Sequence, residues 1–200
     1  MKILITGFDP FGGETVNPAW EAVSRLPDEI SGACVVRLML PTVFGRAGEL
    51  LCDAVRRERP DAVICVGQAG GRASITPERV AINLMDGAIP DNAGFKPSDE
   101  PVIPGGPDAY FTNLPVRRIV ARLRECGIPA ELSYTAGSYV CNYLMYTLMH
   151  LIRTEYPTML GGFIHIPFST EQAVSHRGAP SMDLTTAARG LECAVATVVE

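Results

Sequence analysis

The chain has 200 residues, of which 47% are hydrophobic and 20% charged, and its formal net charge at pH 7 is −5. A chain of this length can bury about three-quarters of its unfolded surface, so we expect one domain covering residues 1–200. The mildly acidic balance and the lack of a basic run argue against binding to nucleic acid. No apolar run is long enough to span a membrane, and the N-terminal stretch is too short for a signal peptide.

Cysteine and histidine usage limits the compartment and the cofactors. The six cysteines are scattered and include no C-x-x-C pair, which in a chain without a secretion signal indicates reduced thiols and a cytoplasmic protein. Three separated histidines without an H-E-x-x-H pattern predict no metal site. The Gly-rich turn after the first strand lacks the G-x-G-x-x-G spacing of a dinucleotide site. We therefore expect no cofactor.

The first half of the chain alternates strands and helices. Strand-like runs cover 2–8, 34–40 and 61–67, and helical patterns cover 17–26 and 43–58. This β-α-β-α-β order predicts an α/β fold with three layers, α/β/α. The next segment, 75–83, resumes strand character without an intervening helix. We therefore expect the twisted sheet to be mixed.

The second half contains a long irregular region, 86–113, rich in proline, glycine and aspartate. A loop this long in a compact domain is usually functional or partly disordered, so it is a candidate site cover or subunit contact. After it the pattern predicts helices from 114 to 126, 140 to 153 and 184 to 199. Strands are predicted at 130–135 and 161–168, and a polar loop at 172–180.

Cys141 lies where the predicted strand 130–135 turns into the predicted helix 140–153. Ligands bind at the carboxyl ends of strands in open α/β sheets, and the unpaired N–H groups of a helix start favour a thiolate. A small, buried and inert cysteine is the alternative interpretation. Two histidines are poor partners: His150 is about two and a half turns further along the helix, and His176 is expected to be solvated.

His165 is the better partner because it lies near the carboxyl end of its predicted strand, where the Cys141 turn should also open. A thiol and an imidazole at one end of a sheet form a nucleophile and base, and a third group must orient the base. Glu78, among apolar neighbours, is the natural orienting carboxylate. The alternative for His165 is a core histidine bonded to backbone. The alternative for Glu78 is a surface acid paired with Arg72 or Arg79.

Several long motifs follow one another through most of the chain. They are T-G-F-D-P-F-G-G at 6–13, G-Q-A-G-G-R at 67–72, I-T-P-E-R-V-A-I-N at 75–83, I-P-D-N at 89–92, T-A-G at 135–137, V-C-N at 140–142 and G-F-I-H-I-P at 162–167. By these motifs the chain resembles pyroglutamyl peptidase type I (pyrrolidone-carboxylate peptidase), a family of cytosolic cysteine peptidases. Ordered multi-residue matches are far more specific than a lone cysteine and histidine.

The resemblance implies a catalytic triad of Glu78, Cys141 and His165. The implied reaction removes an N-terminal pyroglutamyl (5-oxoproline) residue from peptides, with His165 as the base and Glu78 orienting its ring. The Cys141 thiolate would attack the pyroglutamyl carbonyl, and water would then release 5-oxoproline. Backbone N–H groups at the Cys141 turn would hold the oxyanion.

The resemblance also implies an apolar slot for the lactam ring. A neutral, flat lactam suits aromatic walls with a few polar groups, and proline or glutamate would leave those polar groups unpaired. The implied walls are Phe8, Phe11, Ile89, Tyr139 and Val140, and the polar candidates are Asn17, Thr42 and Gln68.

Three positions depart from the family pattern: Ala88 replaces a common arginine, Lys96 a glutamine and Tyr143 a histidine. If that arginine helps to hold the oxyanion, its loss could lower the rate on the order of a hundredfold. The alternative function is therefore a weakened homologue that binds 5-oxoproline or pyroglutamyl peptides without efficient turnover. A nucleoside phosphorylase or hydrolase is a third possibility, by fold analogy alone. The resemblance also implies a homo-oligomer, a tetramer or dimer.

Overall fold

A computed structural model describes residues 1–200 of the chain. Its strands are β1 (Lys2–Phe8), β2 (Glu29–Ile30), β3 (Ala33–Leu40), β4 (Ala62–Gln68), β5 (Thr76–Pro77), β6 (Val80–Ile82), β7 (Ala109–Phe111), β8 (Leu160–Ile166), β9 (Phe168–Ser169) and β10 (Ser181–Met182). Its helices are α1 (Pro18–Ser24), α2 (Arg46–Glu58), α3 (Val116–Glu125), α4 (Val140–Thr154), α5 (Thr170–Ala173) and α6 (Leu184–Val199).

The main sheet has six strands in the order β2-β3-β1-β4-β8-β5. The four inner strands are parallel, whereas both edge strands, β2 and β5, run antiparallel to their neighbours. The inner strands are continuous apolar runs because helices cover both faces of the sheet. The mixed α/β sheet expected from the sequence is thus confirmed.

Two hydrophobic cores lie on opposite faces of this sheet. Strand β1 contributes side chains to both cores, since Ile3 and Ile5 point into one core and Leu4 into the other. Helices α1, α3 and α6 cover the first face, and α2 and α4 cover the second. Helix α4 is apolar around most of its circumference because the sheet, α2 and the β6–β7 hairpin all pack against it. None of the helices is both long enough and apolar enough to cross a bilayer.

Two predicted strands take a different form. Residues 130–135 form only isolated bridges, from Ala130 to Ile75 and from Ser133 to Glu78, rather than a regular strand. The predicted strand 75–83 is divided: β5 joins the main sheet, and β6 pairs with β7 in a separate hairpin. Pro77 cannot donate to a ladder, which suits it to the short edge strand β5.

The predicted polar loop at 172–180 is also more ordered than its composition suggested. It begins within helix α5, whose N-terminus is closed by a capping box between Ser169 and Gln172. Strands β9 and β10 pair in parallel on either side of it. The segment is therefore fixed against the carboxyl end of the main sheet.

Candidate active site

Cys141 is the second residue of α4, and Gly67 at the end of β4 makes room for its sulfur. A Cβ atom on Gly67 would lie 2.8 Å from Cys141 Sγ and 2.8 Å from the Phe163 ring. Gly67 is also the direct neighbour of His165 in the register between β4 and β8. Paired residues on adjacent strands point to the same face, so the thiol and the imidazole share one face at the carboxyl end of the sheet.

A buried carboxylate orients the imidazole of His165. Its Nδ1–H donates to Glu78 Oε1 over 2.7 Å, with the His165 side chain only 4% exposed and that of Glu78 0% exposed. The Phe163 ring packs against the imidazole, with ring centroids 4.8 Å apart. Because Nδ1 is committed to Glu78, Nε2 is the nitrogen left available to the thiol.

Arg72 ties the carboxylate to two further segments. Its Nη1 donates to Glu78 Oε1 and to Thr76 Oγ1, both over 2.6 Å, and its Nη2 donates to the Thr135 carbonyl over 2.9 Å. Glu78 is therefore paired with Arg72, as the alternative interpretation held, but it is buried rather than on the surface. Arg72 joins the loop after β4 to the turn that precedes α4.

The second carboxylate oxygen of Glu78 lacks a partner. Oε2 is buried and accepts no hydrogen bond. The Ser133 hydroxyl lies near enough to help lower the pKa of Glu78, although it donates to the Thr135 carbonyl over 3.1 Å. Since a hydroxyl can rotate, Ser133 is the group that can donate to Oε2.

Burial is the largest influence on the pKa values of Glu78, His165 and Cys141. It raises the pKa of Glu78, but hydrogen bonds from His165, Ser133 and Arg72, with the charge of His165, outweigh it, so the net pKa is lowered. Burial lowers the pKa of His165, against the opposing effect of Glu78. Burial, followed by the negative charge of Glu78, raises the pKa of Cys141 to about 12. The N–H groups at the helix start lower the pKa of Cys141, as expected, but burial outweighs them, so the net effect favours the thiol over the thiolate.

A narrow apolar slot opens beside the thiol. Its lining residues are Phe8, Phe11, Asn17, Thr42, Gln68, Tyr139, Val140 and Cys141. The space between them amounts to about 10 Å³ for the centre of a water-sized sphere, roughly enough for one water molecule. Ile89 does not line this space; it is 42% exposed and lies beside Gly12 at the outer side of the Phe11 loop.

Polar residues of the slot are held by partners that the sequence did not point out. Asn17 Nδ2 donates to the Asp9 carbonyl over 2.9 Å, and the Thr42 N–H donates to the Asp9 carboxylate over 2.7 Å. Gln172 Nε2 donates to Gln68 Oε1 over 3.0 Å, which leaves the Gln68 amide N–H groups free for a ligand. The S-x-x-Q capping pattern was the only sequence signal for Gln172.

An aromatic cluster supports the outer wall of the slot. The Phe44 ring stands edge-on to Tyr139 and Tyr143, with centroids 5.4 Å and 5.6 Å away. The Tyr139 hydroxyl donates to the Pro90 carbonyl over 3.0 Å, which ties the 86–113 loop to the mouth. The Tyr143 hydroxyl donates to the Gly45 carbonyl over 3.1 Å. Tyr143, which replaces the histidine of the family pattern, is thus packed against the start of α2.

The other two histidines lie outside the triad. His150 is hydrogen-bonded to the Tyr110 hydroxyl at 2.9 Å, on the part of α4 that faces the β6–β7 hairpin. His176, expected in solvent, instead stacks on Phe168 at 4.3 Å and pairs with Glu14 at 2.6 Å. Phe168 and Glu14 come together at His176 because β9 and α5 return to the Gly-rich loop after β1.

A larger depression on the surface lies elsewhere. It has a volume of about 590 Å³ and is formed around Arg59, Asp61 and Met159, at the amino ends of β4 and β8. It contains no thiol or imidazole, so it offers no nucleophile and base. The smaller slot beside Cys141 is the one that has a thiol in its wall and an imidazole near it.

A thiol near an imidazole that is itself oriented by a buried carboxylate is suited to acyl transfer through a covalent intermediate. The fold and the site thus define an α/β/α protein of the cysteine hydrolase class, with a slot next to the thiol that is mostly apolar.

Comparison with known proteins gives the family. A family model described as pyroglutamyl peptidase matches residues 1–200. A pyrrolidone-carboxylate peptidase of Levilactobacillus brevis is 58% identical over 199 residues, which cover 100% of this chain and 98% of that protein. One from Thermococcus kodakarensis is 55% identical, covering 100% of this chain and 97% of its own length. The crystal structure of pyroglutamyl peptidase I from Bacillus amyloliquefaciens matches with a TM-score of 0.95 at 52% identity, covering 98% of this chain and 96% of that chain. The chain belongs to the pyroglutamyl peptidase family.

Proposed function

We propose that this chain removes N-terminal pyroglutamate from peptides, as a cysteine omega-peptidase whose triad is Cys141, His165 and Glu78. The observation that carries the proposal is that the Cys141 thiol forms part of the wall of an aromatic slot. A lactam ring seated in that slot would present its exocyclic carbonyl to the sulfur. Family membership independently favours the same substrate class.

Acylation begins from a neutral pair. His165 Nε2 takes the proton of Cys141 as the sulfur attacks the pyroglutamyl carbonyl, and Glu78 stabilises the imidazolium through Nδ1. The tetrahedral intermediate then collapses when His165 gives that proton to the leaving amine. The peptide shortened by one residue departs, and a thioester to Cys141 remains.

Hydrolysis of the thioester repeats the cycle with water as the nucleophile. His165 removes a proton from the water, and Cys141 leaves as the thiol with 5-oxoproline released. In both steps the negative oxygen needs donors. The N–H groups of Val140 and Cys141 make no backbone hydrogen bond, and they lie at the positive end of the α4 dipole. These two groups are the proposed oxyanion donors.

Selectivity follows from the composition of the slot. Phe8, Phe11 and Tyr139 offer flat apolar contacts for the ring, and Gln68 has amide N–H groups free to donate to the lactam carbonyl. A prolyl residue lacks that carbonyl and carries a charged amine instead. It would therefore leave the polar groups of the slot unpaired and be rejected.

We propose that side chains at the mouth of the slot move when a substrate enters, because the space open to the centre of a water-sized sphere is only about 10 Å³. Phe11 and Tyr139 are the partly exposed walls, with ring centroids 6.3 Å apart. Separation of these two rings is the proposed entry step.

We also propose that the chain forms homo-oligomers, as tetramers or dimers, in the cytoplasm. The exposed apolar side chains support this: Phe111 is 56% exposed, Phe95 44% and Ile89 42%. All three belong to the 86–113 region or its hairpin, a candidate contact surface. A mechanism based on a free thiol also suits a reducing compartment. A Phe111→Lys variant that keeps the mass of the wild-type assembly would count against this surface.

The deciding experiment measures release of a fluorescent amine from a pyroglutamyl amide, with the matching prolyl amide as the control substrate. We expect turnover of the pyroglutamyl amide alone, and loss of turnover after treatment with iodoacetamide. The Cys141→Ser variant should lose nearly all activity, whereas Cys52→Ser, which changes a cysteine that does not line the slot, should retain it. Full activity in Cys141→Ser would overturn the proposed mechanism.

The same assay separates the alternative function, a homologue that binds without efficient turnover. Ala88 is the residue that motivates this alternative; it is exposed, between Asp86, whose carbonyl accepts from Ser138, and Pro90, whose carbonyl accepts from Tyr139. Tight binding of 5-oxoproline by calorimetry, without turnover under reducing conditions, would favour the binding protein. No feature of the site itself favours it over the peptidase.

A further inference from the structure

A second pair of thiols lies far from the slot. The thiol of Cys193 donates a hydrogen bond to the sulfur of Cys126, with the two sulfur atoms 2.9 Å apart. Cys126 caps the C-terminus of α3, and Cys193 lies within α6. These helices pack against each other on the face of the sheet opposite to α4. No other hydrogen bond of the structure joins two cysteine residues.

The pair is open to reagents in solution. Both residues are partly exposed. They form part of the wall of a surface depression of about 340 Å³. Arg122 and Arg189 stand at the rim of this depression beside Glu29 and Glu192. A small disulfide can therefore reach the sulfurs without unfolding the helices.

The two thiols also influence each other's charge. Burial, and then the neighbouring Cys126, raises the pKa of Cys193 to about 11. The raised pKa makes Cys193 the poorer attacking thiol, so in an exchange with an external disulfide Cys126 would attack first and Cys193, held 2.9 Å away, would resolve.

We propose that Cys126 and Cys193 are a thiol–disulfide exchange site, which a low-molecular-weight disulfide converts into an intrachain bond between α3 and α6. The Cys126 thiolate attacks one sulfur of the external disulfide, forming a mixed disulfide and releasing one thiolate. Cys193 then loses its proton and attacks the Cys126 sulfur, which expels the second thiolate. Two protein thiols lose two electrons, the external disulfide gains them, and the two protons pass to the two released thiols.

The bond would link two segments that are 67 positions apart in sequence. Closing a loop of this length restricts the unfolded chain, and the native helices already hold the sulfurs in contact. We therefore expect the oxidised protein to have a Tm higher by on the order of 10 °C. The slot lies on the other side of the sheet, so this inference does not depend on the proposed peptidase function.

The test uses the intact wild-type chain, first reduced, then incubated with oxidised glutathione at about pH 8 and finally alkylated. After correction for the alkyl groups and for any glutathione on other cysteines, we expect the denatured chain to be about 2 Da lighter than the reduced chain, the mass of two hydrogens. Peptide mapping should then show the Cys126 peptide joined to the Cys193 peptide, and reduction should separate them.

Variants make the result decisive. Cys193→Ser should trap glutathione on Cys126 and show no rise in Tm, whereas Cys34→Ser, which changes an exposed cysteine elsewhere, should form the linked peptide normally. Recovery of both cysteines alkylated from oxidised wild-type protein would overturn the proposal. So would a Cys193 peptide linked to a second chain, or a stable glutathione adduct on either wild-type cysteine.

Discussion

The molecule contains two thiol sites, one on each side of its sheet, and their surroundings differ. Cys141 lies against Gly67 beside His165, whose ring is fixed by Glu78 and Arg72. Cys126 and Cys193 contact each other between α3 and α6 and have no imidazole beside them. The first sulfur has a base to take its proton, and the second pair has only another sulfur.

The two sites differ in the group that lies next to the sulfur, an imidazole in one and a second thiol in the other. This difference, rather than a low pKa, separates the proposed acyl transfer from the proposed disulfide exchange. Burial raises the pKa of Cys141 to about 12, and burial with a neighbouring thiol raises that of Cys193 to about 11. In both cases the surroundings disfavour the thiolate. In the proposed mechanism Cys141 becomes a nucleophile towards a carbonyl because His165 accepts its proton during attack. Cys193 is suited only to exchange with sulfur.

Removing the base should have the largest effect on this comparison. In His165→Gln the proton acceptor is lost, so we expect kcat/KM for a pyroglutamyl amide to fall on the order of 10³-fold or more. Alkylation of Cys141 by iodoacetamide should slow as well, while alkylation of Cys126 should not change. Mass spectrometry of the alkylated peptides measures both rates in one sample.

His150→Gln is the matched control, because it changes a histidine on α4 that is bonded to Tyr110 and lies outside the triad. It should keep wild-type kcat/KM. If His165→Gln retained most of its activity, or if both variants lost it equally, His165 would not be the base.

Substitution of one glycine near each thiol site tests the sites by steric displacement, without removing a reactive group. A Cβ on Gly67 would lie 2.8 Å from Cys141 Sγ, so Gly67→Ala should displace the thiol and lower kcat/KM on the order of 10²-fold. A Cβ on Gly190 would collide with Ile75 Cδ1, so Gly190→Ala should displace α6 from Ile75 and shift Cys193 relative to Cys126. This second variant should lower the yield of the Cys126–Cys193 disulfide.

The measurements are kcat/KM, Tm and disulfide yield for both variants under the same conditions. Gly67→Ala should still form the disulfide, and Gly190→Ala should retain far more activity than Gly67→Ala at temperatures where both are folded. A Gly67→Ala protein with normal kcat/KM would show that the sulfur does not depend on the space above β4.

The sequence predicted the sheet and the residues of the slot better than it predicted their electrostatics. Continuous apolar runs identify buried strands, and seven residues that the family resemblance implied for the slot line one space with Cys141. Ile89 carries the same motif signal but is exposed, since position in a motif does not determine which way a loop side chain faces.

Contacts between distant segments were beyond the sequence. The sequence offered Arg72 and Arg79 equally as partners of Glu78, and only the folding of the loop after β4 over β5 selects Arg72; the pairing of Cys126 with Cys193 depends on how α3 crosses α6. The raised pKa of Cys141 has the same origin. Local pattern predicted the favourable helix terminus, but burial by the rest of the chain outweighs it.

Arg72 offers the smallest and most specific test, because it acts on the site only through charge and hydrogen bonds. Its positive charge disfavours the imidazolium and contributes, after burial, to the lowered pKa of His165. In Arg72→Gln the pKa of His165 should therefore rise. Since the base must be neutral to accept the thiol proton, the acid limb of the kcat/KM profile should move to higher pH by on the order of one unit.

Arg79→Gln is the control for this shift, since Arg79 stacks over the Phe111 ring at 5.0 Å and donates to the Thr112 carbonyl instead of to the triad. Its acid limb should coincide with that of the wild type. An acid limb in Arg72→Gln that moves to lower pH, or does not move, would mean that Arg72 acts mainly by holding Glu78 in place. In that case kcat/KM would fall at every pH without a change in the shape of the profile.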